Sequence, residues 1–235
     1  MSESSLITLS ASKIKVFSAC PKQFYYSYVD KRESPKTTAL ILGTAVHRSI
    51  EKYYKEDANP LDVFIDTWNK EHEENNLLPD TREYGCGIKM VTGYDYEKRR
   101  PVENELEFII PFPSPNNALC QIRGFIDQVY ENGFIDLKTG KFQPKQGVLN
   151  NDPQFIVYAQ AFKQLMGYDP EVVYWHHLRT SKDIFADVIS EEKIDNVTRL
   201  VERILDAEIT GIYDKNIGMV CSYCSYREPC LGRSD

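Results

Sequence analysis

The chain has 235 residues, of which 42% are hydrophobic and 27% charged, with a net charge of -7, values ordinary for a globular protein. No uninterrupted apolar run approaches the roughly 20 residues of a membrane-spanning helix, and the length suits one large α/β domain around a single core. The negative total excludes a surface that attracts nucleic acid everywhere, but it leaves room for a local basic groove and for carboxylates offset by bound cations. Residues Met1 to Leu9 lack the basic start and apolar stretch of a secretory signal, so a cytoplasmic location without disulfides is expected.

The first third has helical spacing. Ser10 or Ser12 can cap a short helix carrying Ile14 and Phe17, and Pro21 can open another through Phe24, Tyr25 and Tyr28. Further helices are predicted from Leu40 to Tyr54, from Leu61 to about Asn75 and from about Tyr84 to Arg99. The period then changes to two: Leu106, Phe108 and Ile110 alternate with Glu103, Glu105 and Glu107, which predicts a half-exposed strand over Val102 to Ile110. Two more strands, Leu119 to Tyr130 and Phe134 to Lys138, flank Asn132-Gly133, the pair that best tolerates the positive φ of a tight hairpin turn. A helix from Pro153 to Met166 follows, with Asp152 as its cap and Gly167 as its terminator. Strands from Glu171 to Leu178 and Ile184 to Ile189 and an amphipathic helix from Ile194 to Ile209 complete the chain before a cysteine-rich tail.

A two-residue loop at Asn132-Gly133 would pair Glu131 with Phe134 and set Asp127 opposite Lys138. Asp136 would then be the diagonal neighbour of Asp127, at a Cα spacing of roughly 7 to 8 Å. Two carboxylates and an amine on one face suit a hard divalent cation and an activated water. They equally describe a cross-strand ion pair on a solvated face, although bulky Phe125, Val129 and Phe134 on those faces favour partial burial. Glu103 and Glu105 read either as further ligands or as a wet strand face. His176 and His177 point to opposite faces and share no ligand role.

Gly124-Phe125-Ile126-Asp127 and Asp136-Leu137-Lys138-Thr139-Gly140 together resemble the second and third motifs of RecB-like PD-(D/E)XK nucleases. Gly43-Thr44-Ala45-Val46-His47 resembles the family's upstream helix motif, and Gln154 with Tyr158 resembles its Gln-x-x-x-Tyr motif. The resemblance implies an α/β fold: a restriction-endonuclease-like core with a mixed central sheet flanked by helices, a helical amino-terminal part and a cysteine-rich carboxyl-terminal region. It further implies that His47, Asp127, Asp136 and the Leu137 carbonyl bind Mg²⁺ or Mn²⁺. Lys138 would position or deprotonate water, and Gln154 and Tyr158 would orient Lys138 or the DNA backbone. Gly124 and Asp136 depart from the commoner Pro-Asp and Glu of other branches, as RecB-like sequences do.

Cys221, Cys224 and Cys230 form C-x₂-C-x₅-C, a spacing that suits a shared metal and leaves one ligand position open. Cys20 is the leading candidate to fill it. By spacing alone, zinc fits as well as a cluster, and packed free thiols or disulfides are the ordinary alternatives. The segment Phe17-Ser18-Ala19-Cys20-Pro21-Lys22-Gln23-Phe24-Tyr25 is similar to the amino-terminal cysteine motif of iron-sulfur nucleases, including the AddB nuclease and CRISPR-associated RecB-like exonucleases. That similarity implies a [4Fe-4S] cluster on Cys20, Cys221, Cys224 and Cys230; Cys86 and Cys120 are expected to be ordinary thiols.

One unit is therefore expected over residues 1–235, with a core at about 40–210 and with 10–38 and 212–235 joined around the cluster. The function implied is a metal-dependent DNA exonuclease acting on single-stranded DNA or DNA ends in DNA processing, recombination or repair. Recombination, helicase or CRISPR-adaptation proteins would be its partners, and no membrane. The alternative is a noncatalytic, cluster-containing DNA-binding or adaptor module. An electron-transfer role would account for the cysteines but leave the hairpin unexplained.

Overall fold

A computed structural model describes residues 7–112, 120–187 and 189–232. A short strand, β1 (Ile7–Ser10), runs directly into helix α1 (Ala11–Ala19), whose first turn is capped by Ser10 Oγ accepting from the Lys13 N–H at 3.2 Å. Cys20 separates α1 from the single turn α2 (Pro21–Phe24), which continues as a π-helical turn over Tyr25–Val29. Helices α3 (Thr38–Glu56), α4 (Pro60–Glu74) and α5 (Thr81–Thr92) follow, begun by the side-chain caps Thr37, Asn59 and Asp80. The middle of the chain supplies β2 (Glu103–Phe112), β3 (Cys120–Tyr130) and β4 (Gly133–Lys138). After the short α6 (Gln146–Leu149) come α7 (Pro153–Met166), β5 (Val172–His177), β6 (Lys182–Phe185) and α8 (Glu191–Thr210), then a 3₁₀ turn over Met219–Tyr223 and α9 (Arg227–Leu231).

Six strands form one mixed sheet. β3 is its longest member and has three partners. β2 pairs antiparallel along one edge, from Glu103↔Val129 to Phe112↔Cys120. The other edge is shared: parallel β1 takes Cys120 to Arg123, and antiparallel β4 takes Gln128 to Tyr130. Between them, Gly124 to Asp127 have no strand partner on that edge. β5 then adds parallel to β4, and β6 antiparallel to β5.

Helices cover both faces. One core joins α1, α7 and α8 to the sheet through Ile14, Phe17, Phe134, Phe155, Phe162 and Val201, and the other packs α3, α4 and α5 against Ile135 and Leu137. α7 is apolar nearly all round because it lies buried between the sheet and α8. This is the α/β architecture, with a mixed sheet flanked by helices, that the sequence predicts. Among the described residues, no helix is long and apolar enough to cross a membrane.

The hairpin differs from expectation. Its closing pair is Tyr130↔Gly133, followed by Val129↔Phe134 and Gln128↔Ile135, so the loop is Glu131-Asn132 and Gly133 lies inside the strand. Neither Asn132 nor Gly133 adopts a positive φ. Gly133 is required instead by close approach, because a Cβ there would stand 1.7 Å from the Val172 carbonyl oxygen of β5. The slip is two residues, so the paired residues Gln128 to Tyr130 and Gly133 to Ile135 keep their expected faces. Extended one step, the register aligns Asp127 with Asp136, not with Lys138.

Other boundaries also move. α5 begins at Thr81 and stops at Thr92 before Gly93, because Asp80 caps it upstream of Tyr84. The following turns are held by Tyr54 Oη, whose single proton is shared between the Tyr96 and Arg99 carbonyls, each 2.9 Å away. The last strand is Lys182–Phe185, earlier than predicted; Val188, like Leu119, lies outside the described residues. β1 has no counterpart in the sequence reading.

The close approach at Gly133 yields a test. Gly133→Ala is expected to cost about 3 kcal/mol or more in urea denaturation. Gly147→Ala, where an added Cβ meets nothing within 4 Å, should change stability by less than about 1 kcal/mol.

Candidate functional site

The unpartnered stretch Gly124–Asp127 is where the sequence-predicted residues gather. Gly124 is needed there, since a Cβ would lie 2.6 Å from the Phe108 ring that packs beneath it. Past Gln128↔Ile135 the backbone ladder stops, and the Leu137 N–H instead donates to Asp127 Oδ2 at 2.7 Å. Within a strand a residue's N–H and C=O point to the same neighbour, so the Leu137 carbonyl also faces the Asp127 side.

α3 crosses above this point. Its buried face carries Ile41, Leu42, Ala45, Val46 and Ile50, which leaves His47 on the flank, with Nδ1 3.6 Å from Asp127 Oδ2. From the opposite edge β2 contributes Glu105. Ligand atoms of His47, Glu105 and Asp127 all lie within 4.8 Å of one another, the one such group of three His, Cys, Asp or Glu among the described residues. Imidazole nitrogen with two carboxylates is a donor set for a divalent cation.

Glu105 has φ +53° in the middle of a strand, a left-handed conformation that costs a non-glycine residue about 1–3 kcal/mol. Glu103 and Glu107 remain exposed while Glu105 is drawn inward. Burial, reinforced by the charges of Asp127 and Glu51, pushes its pKa up to about 8. The alternating glutamates signalled this carboxylate without distinguishing it from its neighbours. The distortion that selects it is not encoded in the alternation.

Asp136 and Lys138 face α7. Asp136 is 2% exposed, and burial pushes it up to about 6 against the pull of Lys138. Lys138 Nζ lies 2.5 Å from Asp136 Oδ2 as an ion pair and 5.4 Å from the centre of the Trp175 ring. Burial opposes the charge on Lys138, but the Asp136 carboxylate more than offsets it, holding the amine above its ordinary pKa. Asp136 thus stands behind the three-ligand group, close enough for Asp127 and His47 to act on it electrostatically.

α7 brings Gln154 and Tyr158 to the same place, as their spacing predicted. Asp152 caps the helix by accepting from the Gln154 N–H at 2.9 Å, and its other oxygen accepts from Lys15 of α1 at 2.6 Å. Gln154 Nε2 donates to Tyr158 Oη at 2.8 Å. Burial and the Asp136 and Asp127 carboxylates raise the Tyr158 pKa. The loop after Lys138 is held by two residues that no motif marked: His177 Nε2 lies 2.9 Å from the Gly140 carbonyl, and Arg179 Nε donates to the Thr139 carbonyl at 2.8 Å. Arg179 also pairs with Glu83 of α5.

The segment after α1 and the cysteine-rich tail meet at the other end of α1. Cys20, Cys221, Cys224 and Cys230 line one cavity together with Tyr26 and Tyr226. None of the six cysteines is joined in a disulfide. Burial raises the Cys224 pKa, as do the neighbouring Cys20, Cys221 and Cys230. Hydrogen bonds close the junction: Lys22 N–H to the Asp214 carbonyl at 3.0 Å, Asn216 Nδ2 to the Ala19 carbonyl at 2.8 Å, and Tyr226 Oη to the Arg32 carbonyl at 3.2 Å. No three of the four thiols reach the 4.8 Å mutual spacing of the His47 group. Cys86 and Cys120 lie away from this cavity.

A family model described as PD-(D/E)XK nuclease superfamily matches residues 8–231. No curated protein matches the chain. Among solved structures, the crystal structure of SSO0001 is similar at 14% sequence identity and a TM-score of 0.47, over 97% of this chain and 88% of that one.

The raised carboxyls set a pH dependence. Without cation, folded Glu105 and Asp136 retain protons up to about 8 and about 6, whereas unfolded ones lose them near pH 4. Their contribution is therefore fully present below about pH 4 and is lost as pH rises through the folded values. In chelator, melting temperature measured between pH 5 and 8 should fall more steeply for the wild type than for Glu105→Gln. Added Mg²⁺ or Mn²⁺ should raise it more at pH 8 than at pH 5.

Proposed function

Because the chain belongs to the PD-(D/E)XK nuclease superfamily, we propose that it is a deoxyribonuclease of the exonuclease type. It would hydrolyse phosphodiester bonds in single-stranded DNA or at DNA ends with Mg²⁺ or Mn²⁺. The observation that carries this reading is the convergence, at the unpaired stretch of β3, of His47, Glu105 and Asp127 with the Asp136–Lys138 pair beside them.

His47, Glu105 and Asp127 would hold the cation, with the Leu137 carbonyl and Asp136 completing its surroundings. When bound, the cation lowers the pKa of water and offsets charge on a phosphodiester oxygen. Lys138 stays protonated through its contact with Asp136, so its role is to orient the attacking water and to offset charge that develops on phosphate. Asp136 holds the ammonium in place, and Trp175 covers it on one side. Tyr158, fixed by Gln154, directs its hydroxyl toward the carboxylates and the scissile backbone.

At the chain ends we propose a [4Fe-4S] cluster on Cys20, Cys221, Cys224 and Cys230. Zinc with Zn–S bonds of about 2.3 Å would hold its sulfurs about 3.8 Å apart. The four thiols line one cavity, where zinc is the competing occupant of the centre. Its role is structural: it joins segments 10–38 and 212–235 in one domain. Recombination, helicase or CRISPR-adaptation proteins are the partners that fit such an enzyme.

Purified protein is expected to digest labelled single strands with Mg²⁺ or Mn²⁺ and to be inert in chelator. Lys138→Ala and Asp127→Ala should each reduce the rate by about 10²-fold or more while the far-ultraviolet circular dichroism is unchanged. Full activity in either variant removes the mechanism. Glu105→Gln should weaken cation affinity, read as a higher cation concentration at half-maximal rate; an unchanged value removes it as a ligand.

Anaerobic purification followed by iron, sulfide and zinc analysis tests the second centre. The expected result is about four irons and four sulfides per chain, both lost in Cys20→Ser together with a lowered melting temperature. Stoichiometric zinc without sulfide would replace the cluster by a zinc site.

A further inference from the structure

The cavity that contains His47, Glu105 and Asp127 does not end at them. It runs on along β3 past Gly124 and Phe125 to Arg123 and to the corner where β1 becomes α1, with a volume of about 670 Å³. Arg123, Phe125 and Asp127 are alternate residues of β3 and all line this cavity, at a repeat of about 7 Å. That repeat is close to one nucleotide of an extended strand.

Phe125 is 44% exposed at the middle of a central strand. Its neighbour across β2 is Glu107, and Ile109, paired with Arg123, is 55% exposed on the same side. Two cations border the cavity: Arg123 pairs with Glu107 at 2.5 Å, and Lys13 lies 5.4 Å from the Tyr28 ring centre. A half-exposed aromatic ring on this path suits a planar apolar group.

Resting on the nuclease reading, we infer that Phe125 is a base-stacking subsite for the unpaired nucleotide next to the scissile phosphate. The occupant of the groove is single-stranded nucleic acid. A paired base keeps its faces stacked within the duplex and has none to offer the ring, whereas an unpaired base of any identity does. The Arg123–Glu107 pair marks the next nucleotide step. Continuity of the cavity with the cation-holding residues makes this subsite part of the substrate path.

The test measures binding apart from cleavage. Full-length protein in Ca²⁺ or chelator is titrated into a fluorescently labelled thymidine oligonucleotide and, separately, a blunt duplex of equal length. Phe125→Ala is expected to weaken single-strand binding by about 5- to 100-fold, with duplex binding unchanged. Phe125→Trp should retain single-strand affinity, and the introduced indole should be quenched by the single strand only. Wild-type affinity in Phe125→Ala, or equal quenching by duplex, overturns the subsite. Should the oligonucleotide bind and quench while no variant or condition gives cleavage, the subsite stands and the nuclease reading falls. Cleavage with undiminished affinity in Phe125→Ala has the opposite meaning. A melting curve of each variant, with Phe125→Tyr as the conservative substitution, separates loss of stacking from loss of fold.

Discussion

The hydrogen bond from the Leu137 N–H to the Asp127 carboxylate is where the sheet stops being a sheet and becomes a site. Up to Gln128↔Ile135, β3 and β4 satisfy each other's backbone. One step further a side chain replaces the backbone acceptor, and the strands no longer need to stay in register. β1 holds the other end of the same edge through Ser10↔Arg123, so the opening between them has fixed width and walls made of regular structure. Side chains placed on strands and helices keep their geometry better than those on loops.

Such an opening concentrates charge at a cost. Glu105, Asp127 and Asp136 converge, offset in part by His47 and Lys138 and, at Glu105, by Lys55, and Asp136 is almost fully buried. The raised pKa values of Glu105 and Asp136 express that cost, as does the left-handed backbone at Glu105. A cation between His47, Glu105 and Asp127 would relieve the repulsion, since each carboxylate would then face a positive neighbour. The protein accepts local strain at the place where these side chains converge.

α1 connects this opening to the cysteine cavity. Its first turn, capped by Ser10, forms a wall of the groove, and its last residue precedes Cys20. A helix of nine residues is about 13 Å long and stiff on that scale. Anything that steadies Cys20 therefore steadies the groove wall. Hydrogen bonds from Lys22 and Asn216 already fasten the tail to this helix end, and Lys15 fastens the helix to the cap of α7.

Motif and pattern alone determined much of this. That Asp127, Asp136, Lys138, Gln154, Tyr158 and His47 would lie near one another was legible from strand and helix spacing and from their order in the chain, which resembles a known pattern. The helix from Pro153 to Met166 was legible to the residue because cap, Pro and Gly act locally. The turn was misread because Gly133 answers to the Val172 carbonyl, 39 residues away in sequence, rather than to its own φ. β1 escaped notice because its four residues become a strand only by pairing with β3. Glu105 could not be chosen among three alternating glutamates, and nothing local told His177 or Arg179 that they would grip the loop after Lys138. Local sequence sets periodicity and caps; only the assembled sheet decides which backbone groups lose their partners, and that loss is what opens the site.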